Sequence, residues 1–104
     1  FLPAWQLSFS GVYVYEDDKM IHGFVGLSNE YIEGIFVSDE MQSCGIGKLL
    51  LDYIKNKKVR LRLNVYQKNT RALSFYQREE FNIQCEGFDG ATGEKEYPML
   101  WQQK

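Results

Sequence analysis

Val37-Ser38-Asp39-Glu40-Met41-Gln42-Ser43-Cys44-Gly45-Ile46-Gly47-Lys48-Leu49-Leu50 joins an apolar, strand-like run to an amphipathic helix through a short loop. Two glycines, Gly45 and Gly47, stand one residue apart in that loop. Without a Cβ, the backbone there can approach a ligand closely. The first N–H groups of a helix have no partner inside the helix and lie at the positive end of its dipole. A strand, a glycine-bearing turn and a helix start together make a site suited to a phosphate or pyrophosphate. Two nucleotide motifs are excluded by position. A dinucleotide fingerprint beginning at Gly45 needs a glycine where the chain has Leu50. A P-loop ending in Gly47-Lys48 needs glycine where the chain has Gln42, and Ser or Thr where it has Leu49.

Downstream of the loop, Ile46, Leu49, Leu50, Tyr53 and Ile54 recur at i, i+3, i+4, i+7 and i+8. This is one face of a helix over 45–57, ending in the cationic Lys55-Asn56-Lys57-Lys58. Upstream, three strands are expected: Gly11 to Tyr15, Met20 to Leu27, and Tyr31 to Val37. Glu16-Asp17-Asp18-Lys19 and Ser28-Asn29-Glu30 form the turns between them, so the strands make an antiparallel meander.

Beyond the helix, Val59, Leu61, Leu63 and Val65 alternate with Arg60, Arg62, Asn64 and Tyr66, a strand with one buried face. Asn69 can cap a second helix whose apolar face is Ala72, Leu73, Phe75 and Tyr76. Phe81 to Phe88 and Tyr97 to Trp101 form a final strand pair joined by Asp89-Gly90-Ala91-Thr92-Gly93. The order β-β-β-α-β-α-β-β defines an α+β fold with a mixed, mostly antiparallel, twisted sheet. The connection from strand 31–37 through the first helix to strand 59–65 is expected to be parallel and right-handed.

A chain of 104 residues with no linker or repeat is expected to be a single domain over 1–104. Its 44% hydrophobic and 15% aromatic content fit a soluble globular protein. A net charge of −2 gives no electrostatic reason to expect nucleic acid or an anionic membrane as partner. No apolar run approaches the roughly 20 residues that span a bilayer, and no signal peptide is visible. Cys44 and Cys85 stand in no metal-binding spacing and read as reduced thiols of a cytoplasmic protein. One His and two Cys cannot build an ordinary zinc site, so no metal is expected. With Phe1 in place of Met, upstream sequence is expected to be missing.

The loop resembles the Gln/Arg-x-x-Gly-x-Gly/Ala segment of the GNAT superfamily of acyl-CoA-dependent N-acetyltransferases: Gln42, Gly45 and Gly47 fall on its three defining positions. A second family pattern, Asn-x-x-Ala-x-x-Phe-Tyr-x-x-x-Gly-Phe, is matched by Asn69, Ala72, Phe75, Tyr76 and Phe81. The one departure is Glu80, where the family has glycine. That glycine ends the helix with positive φ, and another residue there costs about 1 kcal/mol. The strand and helix order also matches the family core from its second strand onward, so the likeness covers the chain from Gly11.

The resemblance implies acetyl-CoA as co-substrate and a primary amine as acceptor. It lays the pyrophosphate across Gln42, Ser43, Cys44, Gly45, Ile46, Gly47 and Lys48, with Lys48 either touching a phosphate or simply solvated. Backbone groups of Phe36 and Val37 would pair with the pantetheine arm, and Asn69 would bond that arm, cap its helix, or both. Tyr76 matches the general acid that protonates the leaving thiolate, or is a core aromatic beside Phe75. Glu33 is the candidate base for the amine, or a solvent-side carboxylate. Alternation places it on one face with Tyr31 and Ile35. Glu30 and Tyr31 are weaker candidates, and His22 reads as structural or exposed. Two other readings stay open: a non-catalytic acyl-CoA-binding module, and a fragment that works only with further sequence or a partner subunit. The molecule would be a monomer or homodimer. Residues 1–10 are too few for the family's first strand and first two helices, so the amine is left unnamed.

Overall fold

The computed structural model describes residues 4–7, 11–17, 20–38 and 45–104. Its elements are β1 (Ala4–Leu7), β2 (Val12–Asp17), β3 (Met20–Ser28), β4 (Tyr31–Val37), α1 (Ile46–Lys55), β5 (Arg60–Tyr66), α2 (Thr70–Arg78), β6 (Asn82–Ile83), β7 (Gly87–Phe88) and β8 (Lys95–Gln102). They divide into two compact units, Phe1–Lys58 and Val59–Lys104.

In the first unit β1 to β4 pair antiparallel in chain order. The expected meander forms, and β1 is an addition to it. Ala4 faces Glu16 and Leu7 faces Tyr13. Between β2 and β3, Tyr15 faces Gly23 but Glu16 faces Ile21, leaving His22 as an extra, bulged residue. Between β3 and β4, Gly26 faces Gly34 but Leu27 faces Ile32, which leaves Glu33 bulged in the same way. Asp18 and Lys19 of the first expected turn lie outside the described residues.

Helix α1 covers the face that carries Tyr15, Val25, Leu27 and Ile32, all buried. Its own inward residues are Ile46, Leu50, Leu51 and Ile54. Each such apolar side chain contributes roughly 1.5–3 kcal/mol on burial. The helix sits close because β3 has no side chain at Gly23. A Cβ there would meet the Phe36 carbonyl oxygen at 2.7 Å, Ile46 Cγ2 at 3.2 Å and Leu50 Cδ1 at 3.3 Å. Near its other end, Tyr53 meets Tyr13 edge-on at 5.4 Å, with Lys57 Nζ 5.0 Å from the Tyr53 ring centre. The helix is two residues shorter at its C-terminus than its periodicity suggests, ending at Lys55 with Asn56 as cap.

In the second unit β8 is central, with β5 along one edge and β6 and β7 along the other. Leu61, Leu63 and Val65 of β5 are buried opposite Trp101, Met99 and Tyr97, whereas Val59, expected on the same face, precedes the strand and is exposed. Helix α2 packs on β5. The single strand expected over 81–88 is instead two short strands. Ile83 faces Met99 and Gly87 faces Glu96, so four steps on one side oppose three on the other. Pro98 supplies the reason. The Gln84 N–H donates to the Pro98 carbonyl at 2.8 Å, but Pro98 has no N–H to return, and the ladder breaks there.

Gly23→Ala should therefore lower stability by about 1–3 kcal/mol, because backbone and packed helix both resist the added carbon. Gly34→Ala, where nothing lies within 4 Å of the new Cβ, should stay within about 0.5 kcal/mol of the parent. Urea midpoints at unchanged m-value compare the two; equal losses would show that Gly23 does not seat the helix.

Candidate functional site

The first unit supplies the start of α1 and the end of β4. Gly45 is the N-cap at φ 80 and ψ 10, in the left-handed region that a side chain disfavours, although the space around it is open. The Leu49 N–H bonds back to the Gly45 carbonyl at 3.0 Å and closes the first turn. Among the described residues no side chain caps this helix, and no acidic residue lies in its first turn. Ile46 is buried, so its side chain is anchored in the core and its backbone is held in place. Gly47 is half-buried. Lys48 is exposed and pairs with Asp52 one turn on at 3.6 Å. Gln42, Ser43 and Cys44, the other residues of the expected cradle, lie outside the described residues.

Phe36 is exposed and stacks on Phe24 across the β3–β4 pair, with ring centres 5.5 Å apart. Val37, facing Gly23, is half-buried. The Ser38 N–H donates to the carbonyl of the bulged His22 at 2.8 Å, which extends the β3–β4 pairing by one residue. Glu33 is exposed, but it does not share a face with Ile35 as alternation suggests. The bulge turns Glu33 and Gly34 both outward, while Ile32 and Ile35 stay opposite the buried Leu27 and Val25. Glu30 and Tyr31 are half-buried at the β3–β4 turn. The His22 ring lies 6.0 Å from Tyr15.

The second unit supplies α2. Asn69 caps it: Oδ1 accepts the Ala72 N–H at 3.2 Å, and its carbonyl accepts from Leu73 at 3.0 Å. Its side-chain nitrogen donates to no partner among the described residues. Tyr76 is half-buried, 5.3 Å from the Phe75 ring and 5.7 Å from the Phe81 ring. Burial pushes its phenol above the ordinary tyrosine pKa, so the hydroxyl keeps its proton at neutral pH.

The end of α2 explains the Gly-Phe that closes the family's second pattern. The Phe81 N–H bonds the Tyr76 carbonyl at 3.0 Å, and the Glu80 N–H bonds the Gln77 carbonyl at 3.1 Å. These are the two bonds of a Schellman motif, with Phe81 packed on Tyr76 as its apolar contact. Glu80 holds the required left-handed conformation at φ 72 although it is not glycine. Helix termination is thus tied to Tyr76 directly, which the sequence reading did not anticipate. Among the described residues, no group of three or more His, Cys, Asp or Glu could hold a metal ion.

The acetyltransferase (GNAT) domain family matches residues 8–83, and the chain belongs to that family. Peptidyl-lysine N-acetyltransferase YiaC of Escherichia coli K12 is 33% identical over 90 residues, covering 86% of this chain and 62% of YiaC. Peptidyl-lysine N-acetyltransferase YjaB of the same strain is 29% identical over 98 residues, covering 94% of this chain and 61% of YjaB. The solution structure of apo YjaB superposes with a TM-score of 0.80 at 19% identity, over 92% of this chain and 67% of that one. A Bacillus anthracis chain solved in complex with acetyl coenzyme A gives a TM-score of 0.79 at 23% identity, over 89% and 62%. The fold is the family's, as the element order implies. The chain spans 62% and 61% of the length of the two curated relatives.

Glu80→Gly should remove the left-handed strain and raise stability by about 0.5–1 kcal/mol. The exposed Lys104–Glu80 pair, 4.0 Å apart, is too long and too solvated to offset that gain. A rise in the urea midpoint is expected; a fall would mean that the glutamate side chain stabilises the helix end.

Proposed function

We propose that the chain is one acyl-CoA N-acyltransferase domain that moves an acetyl group from acetyl-CoA directly to a primary amine. A lysine side chain of a peptide or protein is the acceptor class favoured by the names of the two curated relatives. The observation that carries the reading is the start of α1. A left-handed Gly45, the absence of a side-chain cap among the described residues and of first-turn acids, and a core-anchored Ile46 leave a helix dipole suited to an anion. The Bacillus anthracis neighbour bound to acetyl coenzyme A supports the identity of that anion.

In this reading the backbone N–H groups of Gly45, Ile46, Gly47 and Lys48 bind the pyrophosphate, with Gln42, Ser43 and Cys44 completing the loop. Phe36 and Val37 pair through their backbone with the pantetheine arm. Asn69 uses Oδ1 for its helix and its side-chain nitrogen for the same arm. The thioester supplies the acyl group and a thiolate leaving group. Tyr76 gives that sulfur its hydroxyl proton, and Glu33, solvent-facing on its bulge, takes the amine proton through water. A phenol of ordinary pKa near ~10 is already a weaker acid than a thiol near ~8.5. Burial pushes the Tyr76 phenol up, so it is protonated at neutral pH and its proton is available to the leaving sulfur.

Thiol release from acetyl-CoA, followed with lysine peptides, polyamines and small amines in turn, tests the proposal. Wild type should release thiol, fastest with lysine peptides. Tyr76→Phe should lose about 100-fold or more in kcat while its acetyl-CoA dissociation constant stays within about twofold. Binding without thiol release from any amine would instead mark an acyl-CoA-binding module. Unchanged turnover in Tyr76→Phe would remove Tyr76 as the acid.

A further inference from the structure

The turn between β5 and α2 is three residues long, Gln67 to Asn69, and it delivers Asn69 to the head of the helix that carries Tyr76. It is closed on itself by the Asn69 N–H donating to the Tyr66 carbonyl at 3.0 Å. It is also held from the neighbouring strand. The Gln67 N–H donates to the Lys95 carbonyl at 2.9 Å, and Lys68 Nζ donates to Glu94 at 3.0 Å. The last tie comes from further along the chain. The Tyr66 hydroxyl donates to Asp89 Oδ2 at 2.7 Å, across 23 residues of sequence.

Asp89 is itself the organiser of the loop between β7 and β8. Its Oδ1 accepts the Ala91 N–H at 2.8 Å, its carbonyl accepts the Gly93 N–H at 2.7 Å, and its N–H donates to the Glu94 carbonyl at 2.9 Å. One carboxylate thus shapes the hairpin loop with one oxygen and holds Tyr66 with the other. The contact keeps the Asp89 carboxyl below the usual carboxylate range and raises the Tyr66 phenol, so near neutral pH an ionised acceptor meets a protonated donor. Such charge-assisted bonds are the strong ones, whereas the exposed Lys68–Glu94 pair contributes little.

The hairpin does not need this bond to close. Gly87 and Phe88 already pair with Glu96 and Lys95, and β5 already pairs with β8 as far as Tyr66 opposite Glu96. What the bond adds is a fixed position for the end of β5, one short turn before Asn69. We propose that Tyr66 and Asp89 are positioning residues: their hydrogen bond couples the 89–94 loop to Asn69, and through its cap on Ala72 to the first turn of α2. The consequence for acetyl-CoA rests on the acetyltransferase reading above; the coupling itself does not. A change in the 89–94 loop is transmitted along bonded atoms, from Asp89 to the Tyr66 hydroxyl, then from the Tyr66 carbonyl to Asn69 and on to the Ala72 amide.

Tyr66→Phe removes only the hydroxyl, and Asp89→Asn keeps an oxygen for the Ala91 N–H. Amide hydrogen exchange and acetyl-CoA titration on both variants and their double mutant test the proposal. In each, exchange at Asn69 and Ala72 should quicken about tenfold while the β5 amides stay protected, a local opening and not a global one. The acetyl-CoA dissociation constant should rise about 3–10-fold, the double mutant should be no weaker than either single variant, and Tyr66→Phe should add nothing in an Asn69→Ala background. Unchanged exchange at Asn69 and Ala72 in Tyr66→Phe overturns the coupling. Quickened exchange with unchanged affinity overturns the positioning role. Should wild type bind no acetyl-CoA, the acetyltransferase reading fails, and exchange alone still decides the coupling.

Discussion

A strand carbonyl and two helix side chains converge on Gly23 of β3, which has no Cβ. The Phe36 carbonyl, Ile46 Cγ2 and Leu50 Cδ1 all lie within 3.3 Å of where the Gly23 Cβ would stand. Because Phe36 belongs to β4 and Ile46 opens α1, this contact locks the register of the β3–β4 pair to the seat of the helix. Ile46 is the first helical residue, so its burial also fixes where the helix begins. Gly45, immediately before it, then has to turn the chain in the left-handed region, and the N–H groups that follow point where the seat directs them. The proposed acetyl-CoA cradle is in this sense a product of strand packing.

The second unit meets a related demand at the other end of a helix. Tyr76 cannot shift without disturbing the Schellman bonds, because its carbonyl accepts from Phe81 and its ring packs on the same residue. Phe81 is itself buried. The positive φ needed at Glu80 is tolerated as strain of about 1 kcal/mol, since the surrounding bonds over-determine it. Asn69 fixes the head of the same helix, and the Tyr66–Asp89 bond fixes the turn that leads to Asn69. A residue proposed to transfer a proton thus sits on a helix constrained at both ends.

Much of this was legible in the chain itself. Strand Tyr31–Val37 lies where its composition places it, and Asn69 caps the second helix as its residue type predicts. Periodicity and capping are local, and local signals survive folding. Three features were not legible for a common reason: they depend on what lies across the pairing. The bulges at His22 and Glu33 are set by which residues face each other on β2, β3 and β4, and the second one reverses the face on which Glu33 stands relative to Ile35. The break in the 81–88 strand is set by Pro98 on β8. The Tyr66–Asp89 bond joins two segments whose separate patterns say only strand and turn. Strand β1 was missed on length, being four residues that follow a proline.

The start of α1 as the acetyl-CoA site is tested most directly by amide chemical shifts during titration with acetyl-CoA. The largest shifts should fall on Gly45, Ile46, Gly47 and Lys48, with Asn69 also responding, and they should saturate together. Saturable binding that leaves the amides of 45–48 unmoved would contradict the site.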